Sequence, residues 1–218
     1  GIATPAGWIS EIALQTDGKI VATAGGFRVA RYNADGSLDS SFGTGGIVTT
    51  NFDDEEGANS VAVQADGKIV AAGYAARCDE EKQACFYDFA MARYNANGSL
   101  DTSFDGDGTL TNDFGSLYEF FSAVVVQTDG KIVAAGGSYG AGPAVFRYNG
   151  DGSPDTSFDT NIHTANLGDF VVPSVVLQTD GKILVSAGIY TVATGIDFAL
   201  VRLNTNGLLD TSFDGDGK

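Results

Sequence analysis

The stretch Leu100–Gly108, LDTSFDGDG, recurs letter for letter at Leu209–Gly217, followed only by Lys218. Working outward from it, an Arg-Tyr-Asn stands at Arg31, Arg93 and Arg147, with the variant Arg202-Leu203-Asn204. Eight residues beyond each arginine lies an aspartate (Asp39, Asp101, Asp155, Asp210), and eleven beyond lies a phenylalanine (Phe42, Phe104, Phe158, Phe213). Upstream, QTDGK or QADGK begins at Gln15, Gln64, Gln127 and Gln178. Four copies in one register establish an internal repeat, with a period of about 54 residues. The twin nonapeptides are therefore equivalent turns of the second and fourth units.

Within a unit the periodicity is that of strands. Ser60–Gln64 and Lys68–Gly73 flank Ala65-Asp66-Gly67, a hairpin turn in which glycine supplies a positive φ. Phe89–Asn95 predicts a third strand and Gly108–Thr111 a fourth. Apolar residues fall on both faces of the third strand, as expected of a sheet covered on both sides, and no segment reads as a long capped amphipathic helix. The predicted fold is all-β: a β-propeller built from four-stranded antiparallel blades, with one repeat per blade. A two-sheet sandwich accounts for the alternation but not for the fourfold register. The chain is read as a single repeat domain, 1–218, with units 8–52, 58–114, 121–165 and 172–218. Gly1-Ile2-Ala3-Thr4 resembles Gly46-Ile47-Val48-Thr49, so residues 1–7 are candidates to complete the last blade. Four blades closing alone, one stretch of a longer array, and half of a dimeric ring all satisfy this pattern.

R-Y-N-x-x-G-S-x-D-x-S-F together with Q-x-D-G-K-I-V resembles the delta-60 repeat, found in tandem in large bacterial extracellular and surface proteins. The resemblance runs over essentially the whole chain. It implies a propeller-like fold and a secreted or cell-surface location, and it brings no common enzymatic activity or agreed ligand. Unit four departs from the pattern at Leu203 and Leu208, and unit three at Pro154.

Composition narrows the partners. The 218 residues are 43% hydrophobic and carry a formal net charge of −16. Such an acidic chain is a poor fit to nucleic acid or anionic membrane, which want clustered Lys and Arg, and a better one to cations or basic surfaces. No apolar run approaches the length of a membrane-spanning helix. Thirty glycines against four prolines belong to many tight turns. Eight of the twelve cations sit at repeat positions, Lys19, Lys68, Lys131 and Lys182 with the four arginines above. They read as framework, each arginine pairing with the aspartate eight residues on or with its equivalent in the next blade.

Loop lengths point to function more directly. From the DGK lysine to the third-strand arginine the spacings are 12, 25, 16 and 20 residues, while the first turn and the Arg-to-Phe stretch never vary. Variation confined to one face of a repeat protein marks a binding surface. That predicted face holds Asp53, Asp54, Glu55 and Glu56, the segment Cys78-Asp79-Glu80-Glu81-Lys82-Gln83-Ala84-Cys85, Glu119, and the aromatics Tyr118, Phe120, Tyr139 and Tyr190. Acid edged by aromatics suits a basic protein partner, a cation or a glycan; acidic loops also serve solubility alone. Cys78 and Cys85 are expected to form a disulfide across this insertion, in keeping with an extracellular protein. Two cysteines and the single His163 fall short of a structural zinc site.

Asp105-Gly106-Asp107-Gly108 and Asp214-Gly215-Asp216-Gly217 place alternate carboxylates on flexible turns, a pattern that suits calcium but equally a plain tight turn. Gly136-Gly137-Ser138-Tyr139-Gly140 matches G-x-S-x-G, yet no helix pattern follows and no partner histidine stands in that unit. No catalytic constellation emerges. The expected function is a noncatalytic binding or display module, the alternative being a carbohydrate-binding or carbohydrate-active propeller.

Overall fold

A computed structural model of the chain describes residues 8–52, 54–79, 84–115, 117–138, 142–159, 174–191 and 195–218. Each Gln-x-Asp-Gly-Lys stretch closes a hairpin. In the first, the Gln15 amide donates to the Lys19 carbonyl at 2.8 Å, and the Lys19 amide donates to Asp17 Oδ1 at 3.1 Å. The left-handed φ of +85° at Gly18 is available to glycine without strain, and Gly67, Gly130 and Gly181 repeat it.

These hairpins organise four antiparallel sheets. The first is β1 (Ile9–Leu14), β2 (Ile20–Ala24), β3 (Arg28–Tyr32) and β4 (Ile47–Thr49), hydrogen-bonded in chain order. The second follows the same order with β5 (Glu56–Val63), β6 (Ile69–Asp79), β7 (Ala84–Tyr94) and β8 (Thr109–Asn112). The third contains β9 (Glu119–Val126), β10 (Ile132–Ser138) and β11 (Gly142–Tyr148), and the fourth β12 (Ser174–Leu177), β13 (Ile183–Thr191) and β14 (Gly195–Leu203). The sequence predicts a fourth strand in these last two units as well; its place in unit three, and residues 1–7 that are expected to complete unit four, lie outside the described residues.

Each sheet packs against the next through an apolar layer. Val21, Phe27, Val29 and Phe42 of the first unit meet Val61, Ile69, Ala71, Ala92 and Tyr94 of the second. The same pattern joins Phe89, Met91 and Phe104 to Val124, Ile132 and Phe146, and then Val145 and Phe158 to Val175, Ile183 and Val201. The first strands contact one another in series, β1 with β5, β5 with β9, and β9 with β12. This explains the apolar residues on both faces of the third strands: the sheets between the ends are covered twice. Small residues let the layers and strands approach. A Cβ on Gly73 would fall 1.8 Å from the Gly57 carbonyl oxygen, beside the register shift where β5 bulges against β6.

The expected arginine–aspartate pairing forms in all four units. Nε of Arg31, Arg93, Arg147 and Arg202 donates to Oδ2 of Asp39, Asp101, Asp155 and Asp210 at 2.8, 2.7, 2.7 and 2.6 Å. The DGK lysine completes each node, with Lys68 Nζ 3.0 Å from Asp101 Oδ2 and Lys131 Nζ 2.6 Å from Asp155 Oδ2. A serine hydroxyl from the LD(S/T)SF motif donates to the other carboxylate oxygen, as Ser103 does to Asp101 at 2.8 Å. The following phenylalanine stacks under the guanidinium, 4.9 Å from Arg93 to the Phe104 ring centre. The repeated arginine, aspartate, lysine and second serine of the motif are thus consumed by the framework.

Candidate functional site

The hairpin joining the second and third strands of the second sheet sets that sheet apart. The sequence predicts a loop around the cysteines; instead β6 and β7 stay paired out to Asp79 and Ala84, with Cys78 opposite Cys85. The expected disulfide is formed there. A cross-strand pair places the two sulfurs within reach once the ladder extends that far, so the insertion lengthens a stiff hairpin rather than adding a slack loop.

Two links between sheets fasten onto this hairpin. The Cys78 amide donates to Asp54 Oδ2 at 2.7 Å, the Ala76 amide to the Glu55 carbonyl at 2.5 Å, and Tyr87 Oη to Glu55 Oε2 at 3.0 Å. On the other side the Tyr87 amide donates to the Leu117 carbonyl at 3.1 Å, and Arg77 Nη2 donates to Asp113 Oδ2 at 2.9 Å. Three tyrosines meet where these links converge. Tyr87 and Tyr118 stack with ring centres 5.2 Å apart, and Tyr74 meets Tyr87 edge-on at 5.6 Å. The Tyr87 hydroxyl is held above its ordinary pKa first by its hydrogen bond to Glu55, that of Tyr74 by burial and then by Glu55 and Glu56.

Behind the tyrosines lie three carboxylates. Oxygens of Asp88, Asp113 and Glu119 come within 4.8 Å of one another. Glu119 is fully buried and accepts the Phe114 amide at 2.9 Å. Asp88 is also buried, its Oδ1 has no hydrogen-bond partner among the described residues, and its Oδ2 lies 3.8 Å from Arg77 Nε. Burial, then the Asp113 charge, raise the Asp88 pKa against the weaker pull of Arg77.

The structure thus brings together Asp54, Glu55, Glu56, Tyr118 and Glu119 of the predicted face, with Asp79 on the same hairpin. Asp53, Glu80, Glu81 and Tyr139 lie outside the described residues, as does His163; Tyr190 falls in β13, with its side chain outside the description. Tyr74, Tyr87, Asp88 and Asp113 were not singled out by the sequence. Their signal was that the second unit alone carries the 25-residue spacing, and tyrosines within it had as much claim as those in the links.

The two Asp-Gly turns have local roles. Asp107 Oδ1 accepts from the Thr109 amide and hydroxyl at 2.7 and 2.8 Å, and Asp216 Oδ1 accepts from the Lys218 amide at 2.9 Å. Asp105 and Asp214 adopt left-handed φ of +49° and +46°. At the opposite end of the sheets, the hairpin turns containing Gln15, Gln64 and Gln127 line an open cleft of about 880 Å³. The side-chain Oε1 atoms of those glutamines and of Gln178 are buried without a partner among the described residues.

The sequence matches the family described as a domain of unknown function (DUF5122) beta-propeller over residues 15–42, 64–104, 127–158 and 178–213. Each segment runs from the glutamine of a hairpin turn to the phenylalanine of its arginine node, and together they take in more than half of the chain. The chain belongs to this family. No curated protein matches it. Among solved structures, a protein of unknown function from Dyadobacter fermentans DSM 18053 is similar with a TM-score of 0.53 at 13% identity, over 89% of this chain and 59% of that one. The gluconolactonase XC5397 of Xanthomonas campestris gives 0.48 at 15% identity, over 93% and 74%. PorZ, a surface component of the type-IX secretion system of Porphyromonas gingivalis, gives 0.44 at 15%, over 90% and 27%. The Dyadobacter likeness is one of fold, and this chain spans 59% of that protein's length.

Proposed function

We propose that the four sheets are blades of a β-propeller of delta-60 type, and that the module is noncatalytic, binding a cationic partner at the tyrosine-lined, acidic end of its second blade. One observation carries this reading: Tyr87 stacks on Tyr118 and meets Tyr74 edge-on, with Glu55 and Glu56 beside them, at the longest of the four second-to-third-strand hairpins. Aromatic faces and carboxylates together suit a lysine or arginine side chain, or a calcium ion, better than an anion. A disulfide across that hairpin favours an extracellular or cell-surface setting, where such a bond persists. Aromatic platforms also stack on sugars, which keeps a glycan-binding or glycan-processing propeller as the second reading.

The test probes the immobilised chain with lysine-rich peptides and with a glycan array, beside Tyr118→Ala and Glu55→Gln variants. Saturable peptide binding that weakens about tenfold in both variants, a loss of about 1.4 kcal/mol, supports the proposal. Equal binding by the variants overturns the site. Binding to glycans alone replaces the partner class, and turnover of any glycan ends the noncatalytic reading.

A further inference from the structure

Three carboxylates meet between the second and third sheets, and the repeat itself accounts for only one of them. Glu119, the first residue of β9, is fully buried and accepts the Phe114 amide at 2.9 Å. One interface earlier Glu56, the first residue of β5, accepts the Phe52 amide at 3.4 Å. This glutamate therefore belongs to the framework, as a cap on the link between sheets. The other two acids break the pattern. Asp88 stands five residues before its node arginine, where the first and third units have Gly26 and Gly142 and the fourth Asp197. Asp113 precedes Phe114 where Asn51 precedes Phe52.

With these two, the capping glutamate becomes part of a convergent set. One oxygen from each of Asp88, Asp113 and Glu119 lies within 4.8 Å of the others. Asp113 accepts the Gly115 amide on Oδ1 at 2.7 Å and Arg77 Nη2 on Oδ2 at 2.9 Å. Arg77 does not extend the same service to Asp88. Its side chain is 64% exposed, and its Nε stops 3.8 Å from Asp88 Oδ2. Asp88 is itself 9% exposed, and its Oδ1 is buried with no hydrogen-bond partner among the described residues. Buried charges are kept where they are paired or coordinate a metal, because an unpaired one is costly. The Oδ1 of Asp88, in the midst of two further carboxylates, fits the second case.

We infer that Asp88, Asp113 and Glu119 ligate one calcium ion held between the second and third sheets. The charges match: three carboxylates and the Arg77 guanidinium sum to −2, which a divalent cation neutralises. The spacing matches as well. Bonds of about 2.4 Å let one calcium ion touch oxygens up to about 4.8 Å apart, whereas magnesium, at about 2.0–2.1 Å, needs them within about 4.2 Å. Asp88 Oδ1 is open to the ion, and each Asp113 oxygen keeps a second lone pair beside its present donor. Asp113 and Arg77 are both partly in solvent, so the ion enters from that side and water completes its shell. Glu55, Glu56 and the tyrosine rings are not among the ligands. Nor are the Asp-Gly turns, where Asp107 and Asp216 accept from their own turns.

The experiment strips the full chain of metal with chelator, titrates it with calcium chloride by calorimetry, and follows thermal unfolding of the same samples. The expected result is one ion per chain with a Kd of about 10⁻³ M or tighter. The melting temperature should rise by about 5 °C at a hundredfold excess over Kd. Asp88→Asn should weaken binding about tenfold or more, yet in chelator melt no lower than the unmodified chain, which separates lost ligation from lost folding. Glu55→Gln and Asp107→Asn should bind calcium as the unmodified chain does. No uptake at about 10 mM calcium, beyond the weak end of protein calcium sites, overturns the inference. So does undiminished binding by Asp88→Asn, or loss of binding in Glu55→Gln or Asp107→Asn, which would move the ion to the tyrosine face or to a turn. Peptide binding measured in chelator tests the tyrosine face alone, so the two sites stand or fall separately.

Discussion

Asp101 and Asp88 are both buried carboxylates of the second sheet, and their surroundings have opposite signs. Asp101 is held by Arg93 at 2.7 Å, by Lys68 at 3.0 Å and by Ser103 at 2.8 Å. Burial works against its charge, but the hydrogen bonds from Lys68 and Ser103, then Arg93, outweigh it and set its pKa well below the usual carboxylate range. Asp88 has one guanidinium at 3.8 Å, itself largely in solvent, and two further carboxylates within reach. Burial and Asp113 push its pKa upward. The repeat thus buries a charge only where it supplies every partner, and the elaborated hairpin leaves one undersupplied. That contrast separates framework from candidate site more sharply than position on a loop does.

Removing Arg93 should break the comparison most severely. Arg93→Met leaves Asp101 buried with only Lys68 and Ser103, and also frees the Gly150 carbonyl of the next sheet. A cost of about 3–5 kcal/mol is expected from denaturant unfolding. The unmodified protein should share the signature in acid. The folded pKa of Asp101, and those of Asp39, Asp155 and Asp210, lie below the unfolded value of about 3.9. The stability they supply is therefore complete above that value and lost as pH falls below it. A melting temperature that holds steady through acid titration would contradict the nodes.

The hairpin should respond less. Replacing Cys78 and Cys85 together by serine removes a cross-link spanning a sequence separation of 7, across a ladder that already pairs at that position. A loss of about 1–2 kcal/mol is expected, at the low end for disulfides because the loop is short. The more telling readout is proteolysis between the cysteines, which should quicken while the node of the same sheet keeps its protection against hydrogen exchange.

What the sequence could reveal divides along the same line. The four units, their hairpins and the arginine–aspartate pairs were legible because each is a local pattern repeated in fixed register, and repetition averages out chance. The extension of β6 and β7 past Cys78 and Cys85 was not, since alternation there is weak and the acidic residues read as a loop. Nor was the meeting of Tyr87 with Tyr118, or of Asp88 with Asp113 and Glu119. These contacts join a hairpin to the links of neighbouring sheets, and no spacing within one unit encodes them. The fold lives in the repeated residues, whereas the candidate site lives in the residues that break the repeat.

The smallest effect should fall on Asp88, with a sign opposite to that of Asp101. A carboxylate whose folded pKa is raised binds its proton more tightly in the folded state. It therefore favours folding when protonated and costs stability as pH rises through its folded pKa. In chelator, Asp88→Asn keeps the shape, removes the charge from a carboxylate whose Oδ1 has no donor among the described residues, and offers the amide as a donor to Asp113 or Glu119. Near neutral pH the variant should gain about 0.5–1 kcal/mol, the scale of one hydrogen bond. The gain should shrink at a second, lower pH, as the pH falls through the raised folded pKa of Asp88 and the unmodified side chain takes up a proton. Denaturant unfolding of both proteins at the two pH values measures the difference. A loss of stability on Asp88→Asn, growing with pH, would mean that the carboxylate is better supplied than the Arg77 contact alone allows, and that the hairpin belongs with the framework.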